Sequence, residues 1–170
     1  YGMYVSSQLG SLFYNNVINE NLIINHSQNG YTGIYLQTNC HNNSISANKI
    51  INNDYGIFLI QSDFNMIYEN SLIKNGARAI YLYESDNNAF YENYIINTSG
   101  TGLHFRASGD SSDNNTIYSN FFINNTLHAT DIPGTNFWNN SEIGNYWDTY
   151  SGSDLDDDGI GDTPYALSGG

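Results

Sequence analysis

Gly33-Ile34-Tyr35-Leu36, Gly56-Ile57-Phe58-Leu59, Ala79-Ile80-Tyr81-Leu82 and Gly102-Leu103-His104-Phe105 follow one another at a fixed step of 23 residues (56−33, 79−56, 102−79). Gly2-Met3-Tyr4-Val5 is a further copy upstream. A fixed step of this size marks a stacked repeat. Within each copy a small residue is followed by apolar, aromatic and apolar positions, the alternation of a strand with one buried face. Ile34, Ile57, Ile80 and Leu103 then form one core column, and Leu36, Leu59, Leu82 and Phe105 a second.

Another phrase alternates with the first. It begins at Asn16-Val17-Ile18 and returns at Asn43-Ser44-Ile45, Asn65-Met66-Ile67, Asn88-Ala89-Phe90 and Asn115-Thr116-Ile117. Each copy holds two short strands separated by an asparagine turn. One repeat therefore supplies about three strands, which is the coil of a parallel β-helix. Stacked coils put equivalent residues about 4.8 Å apart. Asn21, Asn48, Asn70, Asn93 and Asn120 are expected to form an internal ladder, because asparagine tolerates left-handed turns and its amide both donates and accepts. Ile18, Ile45, Ile67, Phe90 and Ile117 give a third core column. Polar, glycine-bearing insertions at 26–31 and 107–111 read as surface loops.

After Asn124 the pattern decays. Asp131-Ile132-Pro133-Gly134 turns the chain, and the aromatics Phe137, Trp138, Tyr146 and Trp147 are placed to cover the last coil. The expected organisation is all-β: a right-handed parallel β-helix over 1–144 and a C-terminal cap over 145–170, carrying an Asp-rich calcium-type loop.

Composition bounds the function. Among 170 residues, 17 are acidic and 4 basic, for a net charge of −13. That argues against nucleic acid and anionic membrane, which require a basic footprint. No apolar run reaches membrane-spanning length, so no membrane insertion is expected. Cys40 is the sole cysteine and allows no internal disulfide. No signal peptide is visible ahead of Tyr1, and the chain reads as a mature or trimmed fragment. Sequons at Asn25, Asn42, Asn97, Asn114, Asn124 and Asn139 point weakly to an extracellular setting.

The repeats Asn-x-Ile-x-x-Asn-x-Ile and Gly-Ile-x-Leu resemble the coils of the NosD-like branch of right-handed β-helix proteins, a group of carbohydrate-binding and sugar-hydrolysing β-helices. The tail Gly144-Asn145-Tyr146-Trp147-Asp148, with Asp158-Gly159-Ile160-Gly161-Asp162-Thr163-Pro164-Tyr165, resembles the ending of archaeal cell-surface members. The resemblance covers essentially the whole chain. It implies the fold, and for function it implies either copper delivery, as in the namesake, or polysaccharide binding or cleavage.

Four sites can be weighed from the residues. Asp154, Asp156 and Asp158 occupy positions 1, 3 and 5 of an EF-hand-type loop, with Gly159 at 6, the Ile160 carbonyl at 7 and Asp162 at 9. Such crowded carboxylates favour a cation, so structural calcium is expected, although Tyr165 stands where the position-12 acid belongs. Copper has as candidates His26, His41, His104, His128, Cys40, Met3 and Met66, which form no close cluster in sequence. Glu69 and Glu92, 23 residues apart, are the candidates for catalysis, with a solvent-facing column as the blander reading. The outward column Tyr35, Phe58, Tyr81 and His104, with Tyr4 upstream, is either a platform for sugar rings or an aromatic ladder that steadies the sheet. The favoured reading is a non-catalytic module, extracellular or at a cell surface, structural or glycan-binding. The rivals are a polysaccharide lyase or hydrolase, a self-assembling fibre subunit stacked end to end or as a homo-oligomer, and a copper-delivery protein.

Overall fold

The computed structural model describes residues 1–7, 12–106, 111–132, 135–158 and 161–167. Among them all regular structure is β-strand, and the chain winds as a right-handed parallel β-helix of about six turns. The long sheet stacks Met3–Ser6, Thr32–Gln37, Tyr55–Ile60, Arg78–Tyr83, Thr101–Phe105 and Leu127–Asp131. A second sheet stacks Val17–Asn19, Ser44–Ser46, Met66–Tyr68, Ala89–Tyr91 and Thr116–Tyr118. A third stacks Leu22–Ile24, Lys49–Ile51, Ser71–Ile73, Tyr94–Ile96, Phe121–Ile123 and Tyr146–Trp147. The 23-residue step is the register itself: Ile34 pairs Ile57, Ile57 pairs Ile80, and Ile80 pairs Leu103.

Core and corners follow from that register. The inward columns read from sequence are buried, from Ile18 at 6% exposed to Ile34, Ile57, Leu59 and Ile80 at 0%. Asn48 Nδ2 donates to Asn70 Oδ1 at 3.0 Å, and Asn70 Nδ2 to Asn93 Oδ1 at 3.0 Å. The ladder runs on through Asn120 to Asn145. The same Oδ1 atoms also accept main-chain N–H groups, so each amide closes a corner as well as a rung.

One expectation is corrected in detail. The left-handed turns belong not to the ladder asparagines but to the residues before them: Glu20, Ala47, Glu69, Glu92 and Ser119 all have φ between 51° and 57°. The positive-φ residue swings the chain around the corner, which leaves the next side chain pointing inward to bond. The same device makes a second ladder, Asn16, Asn43, Asn65, Asn88, Asn115 and Asn136, behind its own left-handed corners.

Towards the C-terminal end the core enlarges. The third-sheet column runs Ile23, Ile50, Leu72, Ile95, Phe122, Trp147. Trp147 stacks on Phe122 at 4.3 Å and Tyr165 on Trp147 at 4.3 Å. Trp138 meets Phe105 edge to face, and its Nε1 donates to the buried Asp131 at 3.0 Å. Pro133, Gly134 and the 107–110 part of the second insertion lie outside the described residues.

Candidate functional site

Aromatic stacking occurs on all three faces, so stacking alone singles out none of them. Tyr68, Tyr91 and Tyr118 stack on the second sheet at 4.9 and 5.2 Å. Tyr94, Phe121 and Tyr146 do so on the third, at 4.7 and 5.8 Å. On the long sheet Tyr35 stacks on Phe58 at 5.0 Å and Phe58 on Tyr81 at 4.4 Å, and His104 follows at 5.3 Å from Tyr81. Tyr4 and Tyr1 extend the row at its other end. The expected column therefore exists, in the expected order. Its rings cover one another's faces, however, and Tyr35 and Tyr81 are each only 8% exposed. What they offer to solvent is rims and hydroxyls, not open faces for stacking.

The long sheet differs from the other two in its polar groups. Both arginines of the chain lie on it. The Arg78 guanidinium rests 4.4 Å over the Tyr81 ring, with Tyr55 at 5.7 Å, and that of Arg106 rests 4.5 Å over Tyr83. His104 sits next to them, its Nδ1 within 2.5 Å of Thr130 Oγ1. Burial first, then the charges of Arg78 and Arg106, push His104 down to about 4. The imidazole is thus neutral at neutral pH although two cations flank it. Burial, with Tyr1 and Tyr4 adding to it, pushes the Tyr35 hydroxyl up to about 12, so Tyr35 stays a hydrogen-bond donor. Sequence reading placed Tyr83 and Arg106 in an outward column but missed Tyr55 and Arg78. These lie at the strand starts, outside the repeated phrase, and share a register column with Thr32 and Thr101.

The other predicted residues fall elsewhere. Glu69 and Glu92 are exposed corner residues, at φ 54° and 55°, on the edge leading out of the second sheet. Asp154, Asp156 and Asp158 do come together: one carboxylate oxygen from each lies within 4.8 Å of the others. Asp158 N donates to Asp154 Oδ1 at 3.2 Å, and Leu155 N to Asp162 Oδ2 at 2.9 Å, so Asp162 folds back on the same loop. Gly159 and Ile160 lie outside the described residues. The soft donors are scattered. His26 bonds Asn53, His41 lies 3.6 Å from Asp63, and His128 lies 2.8 Å from Asp148. Cys40 is fully buried against main-chain carbonyls. Among the described residues these donors form no group of three or more. A cavity of about 260 Å³ lies in the cap, between Trp138, Trp147, Tyr150 and Tyr165. It is the seam of the aromatic stack itself, remote from the long-sheet arginines.

Residues 1–152 match the family model described as periplasmic copper-binding protein (NosD). No curated protein matches the sequence. Among solved structures the chain is similar to a double mutant of the periplasmic alginate epimerase AlgG, with TM-score 0.60, 26% identity and 79% of this chain covered. It is also similar to AlgG without those mutations, with TM-score 0.58, 29% identity and 70% covered. The chain spans 37% and 28% of the length of those two proteins.

Proposed function

The chain belongs to the NosD family, and on that premise we propose that it is a β-helix module working outside the cytoplasm, binding glycan along the outward face of its long sheet. The observation that carries the reading is the row of ring rims and hydrogen-bonding groups on that face: Tyr35, Phe58, Tyr81 and His104, flanked by Gln37, Tyr83 and Arg106. The fold it shares with a periplasmic enzyme of alginate supports a carbohydrate ligand and a site outside the cytoplasm. No helix among the described residues is long and apolar enough to cross a membrane. Affinity electrophoresis against a panel of neutral and acidic polysaccharides tests the reading. Retardation on at least one glycan is expected, and unretarded migration on all of them contradicts it.

Cleavage is the second reading, and one observation favours it. His104 is neutral and flanked by two guanidinium groups, an arrangement suited to taking a proton beside a sugar carboxylate. Release of unsaturated sugar ends during incubation would support it. Glu69 and Glu92, exposed at corners of the solenoid, have no such neighbours to recommend them.

The family's copper does not fit the described residues. Copper sites draw histidine and sulfur ligands together, and here the four histidines bond separate partners while the thiol is sealed in the core. Calcium fits better. The Asp154, Asp156 and Asp158 carboxylates are hard oxygen donors already gathered, and Asp162 is tied to the same loop. We propose that calcium binds there and steadies the tail that carries Tyr165.

A further inference from the structure

Arg78 is a cation the fold leaves nearly unused. Its Nη1 donates to the Tyr55 hydroxyl at 3.3 Å, and its Nε is buried with no partner. No carboxylate among the described residues lies within 4.0 Å of it, in a chain with 17 acidic side chains. Asp54, which lies near it in the coil, is committed to the main chain. Its Oδ2 accepts from Gly30 N at 2.6 Å and its Oδ1 from Ala77 N at 3.3 Å. A guanidinium carries five donors in a fixed fork, matched to a carboxylate. Resting on Tyr81, the Arg78 fork is held flat before any ligand arrives, which lowers the entropy cost of binding.

The surroundings select the same chemistry. Arg106 lies one coil further along the face, and His104 between them adds a polar edge without a negative charge. Both lysines are elsewhere: Lys49 is in the third sheet and Lys74 at the corner that follows it. The long-sheet face is therefore a local positive spot on a molecule of net charge −13.

We propose that this face takes an acidic glycan, a uronate-containing chain, and that the Arg78 fork holds one of its sugar carboxylates. The proposal rests on the glycan-binding reading above and adds the substrate class. General electrostatics would oppose it, since a protein of charge −13 and a polyanion repel. Binding of a polyuronate would thus report a local site.

The test is affinity electrophoresis of the whole chain in gels containing polygalacturonate, its methyl ester, or a neutral galactan. Polygalacturonate is expected to retard the protein, and the ester and galactan are not. Arg78→Gln should weaken the interaction roughly tenfold or more, and Arg78→Lys should restore only part of it, because the ammonium keeps the charge but loses the fork. Equal retardation by the acid and its ester overturns the proposal while leaving glycan binding in place. So does an Arg78→Gln protein that binds like the parent. Failure of every glycan, acidic or neutral, removes both readings together. Self-association by sedimentation that Arg78→Gln abolishes, with no glycan bound, overturns the proposal in favour of a protein carboxylate as the partner.

Discussion

Thr98 stands where a third polar column needs an amide. His26, Asn53, Asn75, Thr98 and Asn125 share that corner. Asn53 Nδ2 reaches Asn75 Oδ1 at 3.4 Å, and Thr98 N donates to Asn125 Oδ1 at 2.9 Å. The Thr98 hydroxyl itself is buried with no partner. Thr98→Asn should complete the column and stabilise the protein by about 1 kcal/mol, read as a higher urea midpoint. A lowered midpoint would mean that the corner has no room for the amide. His104 gives a pH signature. Its folded pKa, about 4, lies below its ordinary 6.5. Above pH 6.5 both states hold it neutral. As pH falls from 6.5 towards 4 the unfolded chain takes the proton first, and stability is lost. Urea unfolding across that window should show a shallower loss for His104→Gln than for the parent, and parallel curves would contradict the assignment. At this scale the sequence was partly legible. Which asparagines face inward followed from spacing. That a Glu, an Ala or a Ser makes the left-handed turn before them did not, because the corner is imposed by two adjoining strands and their ladder, and overrides the turn preference of the residue that fills it.

The strands and sheets were legible almost to the residue, since a register repeated every 23 residues determines every column at once. The site was less so. Tyr35, Phe58, Tyr81 and His104 were found because they recur inside the phrase. Arg78 was not, because Thr32, Tyr55, Arg78 and Thr101 share a column without sharing a chemistry. Nor could alternation reveal that outward rings lie flat against one another, which turns a presumed stacking platform into a row of rims. In the cap, Asp154, Asp156 and Asp158 converge as their spacing implied. Calcium should raise the melting temperature and a chelator lower it, by linkage to the folded state. Asp156→Asn with Asp158→Asn should abolish the difference. Identical calorimetric traces of the parent with calcium and with chelator would leave the loop merely acidic.

Over the whole molecule, three aromatic ladders brace three sheets, yet both arginines and the neutral histidine gather on one of them. Structural bracing explains each ladder, and only the long sheet adds donors arranged to hold a ligand. The proposed function therefore makes a claim about faces, which two single substitutions can separate. Tyr81→Ala removes a ring under Arg78, and Tyr91→Ala removes its counterpart from the second-sheet ladder. Both should cost similar stability, about 1 kcal/mol beyond the lost burial. The decisive measurement is the affinity of parent, Tyr81→Ala and Tyr91→Ala for the polysaccharide that retards the parent most. Binding that Tyr81→Ala weakens severalfold and Tyr91→Ala leaves intact is the predicted result. Equal affinity of Tyr81→Ala and parent, or equal loss in both variants, would contradict a glycan site on the long-sheet face.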